Sequence, residues 1–444
     1  MTEPLQPTGW YPDPSREPGM AVLQPKDDPF YQYTDSLASI PPGTVLKTRS
    51  FPYRVFGVPT WLKATQLLYR STSQTGNPTV NVTSVIQPPD QEDKTKVISY
   101  QSAYDSLNPN DEPSYAISGG VTLGGLVPNV EGAVFGPFLA DGYTVIVPDT
   151  EGQRADFAAG PEYGMNTLNS IRAVFSQAST VGLPDDAKVA MLGYSGGAIA
   201  TEWAAELAPT YAPDVNARMI GAAMGGLLVD PAHNLHYIEG TWFWGGVLPM
   251  ALAGIARAFE KDFTPYLTPA GVTVFNEMQT TSIGDVLGRY KDLTWQKLII
   301  PKYPTPESLP LYVALANKLI MGTGGTPTIP LFIGQGANGE LEGTPGDQLG
   351  IWAGDGVMIA GDVRTLARNY CAKGTTVYYE QYDALGHIAS LVPWLPESIA
   401  WIQQRFADLL APQNCSSIAH GNPLGPIPMP SPAANSPTSN DSGH

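Results

Sequence analysis

In Gly193-Tyr194-Ser195-Gly196-Gly197 a serine stands among glycines, after the apolar pair Met191-Leu192 and before an alanine-rich run. The spacing G-x-S-x-G carries chemistry when a strand enters it and a helix leaves it. A serine on so sharp a turn is held in a strained backbone conformation, and flanking glycines remove the collisions that bulkier neighbours would make. The departing helix aims backbone N–H groups and the positive end of its dipole at a carbonyl bound there. Ser195 is therefore a candidate nucleophile and the Gly196 N–H a candidate oxyanion donor. The alternative is an ordinary glycine turn, since the pattern alone is weak.

A serine hydroxyl needs a base. The chain has five histidines: His233, His236, His387, His420 and His444. His420 and His444 fall in a Pro/Ser-rich tail, and His233 and His236 precede a helical stretch. His387 lies in the loop DALGHIAS (383–390), after a strand-like run and before the last helix, where a base that follows serine and acid in chain order belongs. The acid should follow the run near 328–334. Five carboxylates are placed to serve: Glu340, Glu342, Asp347, Asp355 and Asp362. Asp362 reads as the acidic start of a helix, and the two glutamates lie nearest the strand end. Asp355 precedes a short apolar run, so its carboxylate could turn inward. Spacing favours Asp355 without excluding the others.

The elements that must position these groups can be read from periodicity. Strand-like runs cover 79–87, 96–104, 143–149, 188–192, 217–226, 328–337 and 375–383. Helical patterns cover 132–139, 166–178, 361–374, 398–410 and the run AIATEWAAELA after Gly197. Strands alternating with helices predict an α/β fold with a mostly parallel sheet covered on both faces. Residues 1–75 read as an N-terminal arm packed on the core, and 76–230 as the first part of that core. Residues 231–325 have no clean strand and read as an inserted helical cap. The core resumes over 326–412, and 413–444 is expected to be a disordered tail.

Composition narrows the function. The 444 residues carry a formal charge of −17, which excludes a basic nucleic-acid surface and would repel an anionic membrane. A neutral lipid–water interface stays open to it. The longest apolar stretch, 242–259, is broken by Pro249, Arg257 and glycines and predicts no membrane span. The opening residues MTEPLQPTGWYPDP lack the basic and apolar regions of a signal peptide as written. No cofactor is called for: the glycines of SGGVTLGG (118–125) lack a phosphate-loop lysine. His233 and His236 with Asp230 and Glu239 read better as polar hinge residues than as a metal site. The aromatic run TWFWGG (241–246) could be core, acyl-chain contact or both. Cys371 and Cys415 could be bridged, closing a loop of about 44 residues worth roughly 4 kcal/mol in the loop-entropy model, or could be two free thiols.

Taken in order, DPFY (28–31), PPGTVLKTR (41–49), ISYQSAYDS (98–106), PSYAI (113–117), PDTEGQRADFAAG (148–160), GYSGGAIATEWAAELAP (193–209) and DALGHIAS resemble the secretory lipases typified by Candida antarctica lipase A, a family with actinobacterial members. They span about 28 to 410. The resemblance implies an α/β-hydrolase fold with a mostly parallel central sheet, a large inserted helical cap and a Ser195/Asp355/His387 triad. It favours Asp355 because the family's acid opens a segment D-x-V-[VI]-P, where this chain has DGVMIA without the proline. It implies that Asp105 supplies the second oxyanion donor through its backbone N–H, with its carboxyl as a further candidate donor. Many relatives carry a cysteine where this chain has Glu112, which leaves Cys371 and Cys415 as the expected pair. The implied activity is hydrolysis of lipid-like carboxylesters through an acyl-enzyme, with acyl transfer to alcohols, by a protein secreted or held in the cell envelope. Two rivals are kept: a prolyl-oligopeptidase-like peptidase, for whose propeller the arm is too short, and a catalytically inactive hydrolase fold used for binding. The sequence does not indicate an oligomeric state.

Overall fold

The computed structural model describes residues 22–89, 91 and 93–430. Its strands are Val45–Val55 (β1), Val58–Thr72 (β2), Pro78–Gln87 (β3), Lys96–Gln101 (β4), Thr144–Pro148 (β5), Lys188–Tyr194 (β6), Met219–Gly225 (β7), Leu331–Gly336 (β8) and Val377–Tyr382 (β9). They form one nine-stranded sheet in the order β1-β2-β3-β5-β4-β6-β7-β8-β9. β1, β2, β3 and β5 pair antiparallel. From β5 through β4 to β9 every pairing is parallel. β6 is buried at all residues but Lys188, as an apolar run without alternation must be when helices cover both faces.

The longer helices are Gly132–Ala140 (α1), Gly160–Ser176 (α2), Gly196–Tyr211 (α3), Pro231–Ile238 (α4), Val247–Ala258 (α5), Pro269–Met278 (α6), Pro310–Ala316 (α7), Ala360–Ala372 (α8) and His387–Phe406 (α9). Two cores follow from their placement. One side of the sheet buries Leu168 and Ile171 of α2, Trp203 of α3 and Leu366 of α8. The other buries Phe135 and Phe138 of α1 with Trp394 and Trp401 of α9. α4 to α7 fill the span between β7 and β8, where the helical insertion was expected. Arg257 of α5 fastens this insertion to the core by donating to the carbonyls of Leu107, Arg154 and Ala155. Among the described residues no helix is long and apolar enough to cross a membrane.

Three expectations need correction. The segment 1–75 is not only an arm: β1 and β2 form a hairpin that extends the sheet. Its polar residues hid it. Gln66 is fully buried in β2, donating to Ser84 Oγ and the Ser114 carbonyl while accepting from Arg49. The tail is ordered as far as residue 430. Ile418 and Asn422 are buried, Asn422 donates to the Ile351 carbonyl and to Asp362, and a disulfide joins Cys371 to Cys415. Residues 431–444 of that tail lie outside the described residues. The last helix begins at His387, eleven residues before the expected start at 398, and runs through Pro393 and Pro396.

The chain leaves β4 for β5 on one side and then takes β6 on the other side of β4. Such a reversal opens a crevice at the carboxyl ends of the strands, where open α/β sheets hold ligands. Ser195 follows β6, Asp105 follows β4, Asp355 follows β8 and His387 follows β9.

Candidate active site

Ser195 is the residue between β6 and α3, with φ 55° and ψ −122°. That positive φ is uncommon outside glycine and is kept only where the surroundings over-determine it. Here they do. The Ser195 N–H donates to the Gly225 carbonyl at 2.8 Å. A Cβ on Gly193 would stand 2.2 Å from the Gly197 carbonyl oxygen, and one on Gly197 would stand 2.0 Å from that of Gln101. The glycines are thus the contact surfaces that let β4, β6 and α3 close around the serine.

His387 is the first residue of α9 and is almost fully buried. Its Nε2 lies 2.8 Å from Ser195 Oγ and its Nδ1 2.8 Å from Asp355 Oδ2. The backbone fixes the ring's base: the His387 N–H donates to the Asp355 carbonyl at 2.7 Å, and its own carbonyl accepts from Tyr194 Oη at 2.6 Å. Burial pushes the imidazole pKa down. The charge and hydrogen bond of Asp355, with the charges of Glu342 and Asp105, outweigh burial and leave it above the ordinary value.

Asp355 is fully buried, and every bond it accepts is made within the site. Oδ1 accepts from the N–H groups of Val357 and Met358 at 3.1 and 2.7 Å. Oδ2 accepts from Gln335 Nε2 at 2.8 Å besides facing His387. The missing proline of the DGVMIA segment does not disturb this turn, because it is closed by the Asp355 N–H on the Met358 carbonyl at 2.8 Å.

Asp105 has φ 35°, and its carbonyl accepts from the Ile283 N–H of the helical insertion at 2.8 Å. Its carboxyl lies against Gly196, the first residue of α3, whose N–H has no acceptor within its own helix. Burial pushes the Asp105 pKa up to about 7, with His387 lowering it and Glu131 raising it.

The other candidates go elsewhere. His233 and His236 face separate carboxylates, Asp362 at 3.0 Å and Glu307 at 2.5 Å. The His420 carbonyl accepts from Arg364, and His444 lies outside the described residues. Glu342 accepts from the Ile388 N–H and from Trp244 Nε1. Trp244 was legible only as part of an aromatic run. Its ring stands edge-on to His387 with centroids 5.4 Å apart.

Ser195, Gly196, Asp105 and His387 open on a cavity of about 270 Å³ whose other walls include Phe157, Ile199, Trp244 and Leu391. A second, apolar cavity of about 50 Å³ lies among α4, α5 and α7. The two share Leu228, Val247 and Val357 as walls. A hydroxyl, an imidazole and a carboxylate in one hydrogen-bonded line can deliver an alkoxide to a carbonyl carbon and return the proton to a leaving group.

The profile described as secretory lipase matches residues 120–414. Lipase 1 of Candida albicans is 31% identical over 405 residues, covering 87% of this chain and 82% of its own. Lipase A of Arthroderma benhamiae is 29% identical over 412 residues, covering 89% and 83%. Candida antarctica lipase A in its closed state superposes with a TM-score of 0.77 at 25% identity, covering 91% of each chain.

Proposed function

The chain belongs to the secretory lipase family and is a serine ester hydrolase, and from that premise we propose which of its groups carry the reaction and on what. Ser195 is the nucleophile, His387 the general base and acid, and Asp355 the carboxylate that holds the imidazole. The observation that carries this reading is the unbroken line Ser195 Oγ–His387–Asp355, with 2.8 Å at each link. His387 Nε2 takes the hydroxyl proton as Oγ bonds to the ester carbonyl carbon. The carbonyl oxygen gains the charge and is met by the N–H groups of Gly196 and Asp105. Asp355 stays ionised and stabilises the imidazolium. The proton then passes to the ester oxygen, the C–O bond breaks and the alcohol leaves. Water, or another alcohol, repeats the cycle on the acyl-enzyme.

Near neutral pH the raised Asp105 pKa keeps much of that carboxyl uncharged. An uncharged carboxyl beside the developing oxyanion spares it the repulsion that an ionised one would bring.

The helical insertion serves as the cap of the site. The acyl chain lies in the apolar cavity beneath Trp244, with its distal end directed toward the smaller cavity between α4, α5 and α7. The substrates are esters of lipid-like acids, met at a neutral interface in keeping with the charge of −17. The Cys371–Cys415 bond suits an oxidising compartment, in line with export. The comparisons favour neither the peptidase nor the inactive binding protein. A series of p-nitrophenyl esters from acetate to palmitate, with and without an oil interface, tests the substrate reading. A kcat/KM that rises with chain length supports it, and one that falls steadily from acetate opposes it.

A further inference from the structure

Asp355 rather than Glu342 faces His387 Nδ1, yet Glu342 sits where two hydrogen-bond donors of different parents converge. Its Oε1 accepts from the Ile388 N–H at 2.8 Å and its Oε2 from Trp244 Nε1 at 2.9 Å. Ile388 is the second residue of α9, directly after His387. Trp244 belongs to the helical insertion, lines the reactive cavity and stands edge-on to the His387 ring. Two glycines make room for the carboxylate. A Cβ on Gly386 would stand 2.6 Å from Glu342 Oε1, and one on Gly356 would stand 2.9 Å from Oε2.

We propose that Glu342 is a positioning residue that ties Trp244 of the insertion to the first turn of α9, and that it holds both the His387 ring and its charged form in place. This rests on the triad reading above. The physical need is local. His387 must become an imidazolium at the N-terminus of a twenty-residue helix, where the macrodipole disfavours positive charge. Asp355 answers on one side of the ring. Glu342 adds a second negative charge and caps the next free N–H of the same turn. The residue type is specific. Two donors need two acceptor oxygens, and glutamine would turn an NH₂ group toward one of them.

The charged and titratable groups that face Glu342 are His387, Asp355, Tyr194 and Tyr237. Burial raises the Glu342 pKa, with the Ile388 bond and His387 lowering it and Asp355 raising it. The bracket therefore weakens as pH falls and Glu342 takes up a proton.

The test is the pH profile of kcat/KM for Glu342→Gln and Glu342→Asp, beside Asp355→Asn. The free-enzyme base sets the acid limb. Loss of a nearby negative charge lowers the imidazolium pKa, so in Glu342→Gln the limb moves to lower pH by about half a unit. In that variant kcat falls about tenfold, with KM changed less than about twofold. Glu342→Asp restores the charge and returns the limb toward the wild-type position. A Glu342→Gln profile that superimposes on wild type, with only thermal stability reduced, overturns the proposal. So does a Glu342→Asp limb displaced as far as that of Glu342→Gln. Failure of the triad reading looks different: Asp355→Asn would then keep near wild-type kcat while Glu342→Gln lost nearly all of it.

Discussion

Oδ1 of Asp105 occupies the space a side chain on Gly196 would need: a Cβ built there lies 1.7 Å from it. The two residues close the gap between β4 and α3, and their N–H groups are the proposed oxyanion donors. Gly196→Ala must push Asp105 away or twist the elbow. The expected cost is about 1–3 kcal/mol of stability from overpacking and about 100-fold or more in kcat from the misplaced donor. Gly136 in α1 is the control, because a Cβ there meets nothing within 4 Å. Gly136→Ala should keep full activity and gain about 0.5–1 kcal/mol from helix propensity. Urea unfolding with ester kinetics measures both.

Asp355→Asn should lower kcat by about 10⁴-fold, as the buried amide can present the wrong group to Nδ1 and cannot stabilise the imidazolium. Asp362→Asn, also a candidate on spacing, replaces one of the two oxygens that face His233 and Asn422 and removes the charge. It should cost about 1–3 kcal/mol of stability and leave kcat within about twofold of wild type. If Asp362→Asn lost more activity than Asp355→Asn, the assignment of the acid would fail.

The raised Asp105 pKa makes a prediction about the basic side. As pH climbs through about 7, the value to which burial pushes this carboxyl, it ionises beside the nascent oxyanion and kcat should decline. Asp105→Asn keeps the shape and cannot ionise. Its kcat should match wild type within about tenfold at pH values below that limb, and the decline should vanish. A basic limb unchanged in the variant would assign the decline to another group.

His236 bridges α4 to Glu307 within the insertion. Its pKa is raised from 6.5 to about 9, chiefly by the hydrogen bonds of Glu239 and Glu307. That of Glu307 is lowered from 4.5 to about 2, chiefly by its hydrogen bond to His236. The folded histidine holds its proton more tightly than the unfolded one, so its contribution is full below 6.5 and fades as pH rises through about 9. The glutamate contribution is full above 4.5 and fades as pH falls through about 2. The difference in Tm between wild type and His236→Gln should therefore be largest between those ordinary values and vanish above the raised histidine pKa. A difference that grew toward alkaline pH would contradict the pairing.

The positions of Ser195 and His387, which the fold brings within hydrogen-bond distance, were legible because their signals are local: a glycine-flanked serine between an apolar strand and an alanine-rich helix, and a histidine in the loop after the last strand. Asp355 was only favoured, because its burial depends on Gln335 and on a turn closed by Met358. Asp105 came from resemblance alone. Nothing in its neighbours marks a residue proposed to act through its backbone N–H, or one held at φ 35°. The β1–β2 hairpin was missed for a related reason. Arg49 and Gln66 are buried as a hydrogen-bonded pair, and Arg49 also pairs with Asp28. Such pairing lets polar residues occupy positions that an apolar count assigns to the surface. Pro393 and Pro396 concealed the first half of α9, because a proline supplies no N–H to the turn before it. The tail was read from composition, which does not register a disulfide or the buried side chain of Asn422.

Ser195 as nucleophile is tested most directly by a fluorophosphonate probe followed by intact and peptide mass measurement, with Ser195→Ala assayed beside wild type on a p-nitrophenyl ester. One adduct per wild-type chain is expected on the peptide holding Gly193–Gly197, with no adduct in Ser195→Ala and a fall in kcat of about 10⁴-fold or more. An adduct on another residue, or hydrolysis by Ser195→Ala near the wild-type rate, would contradict it.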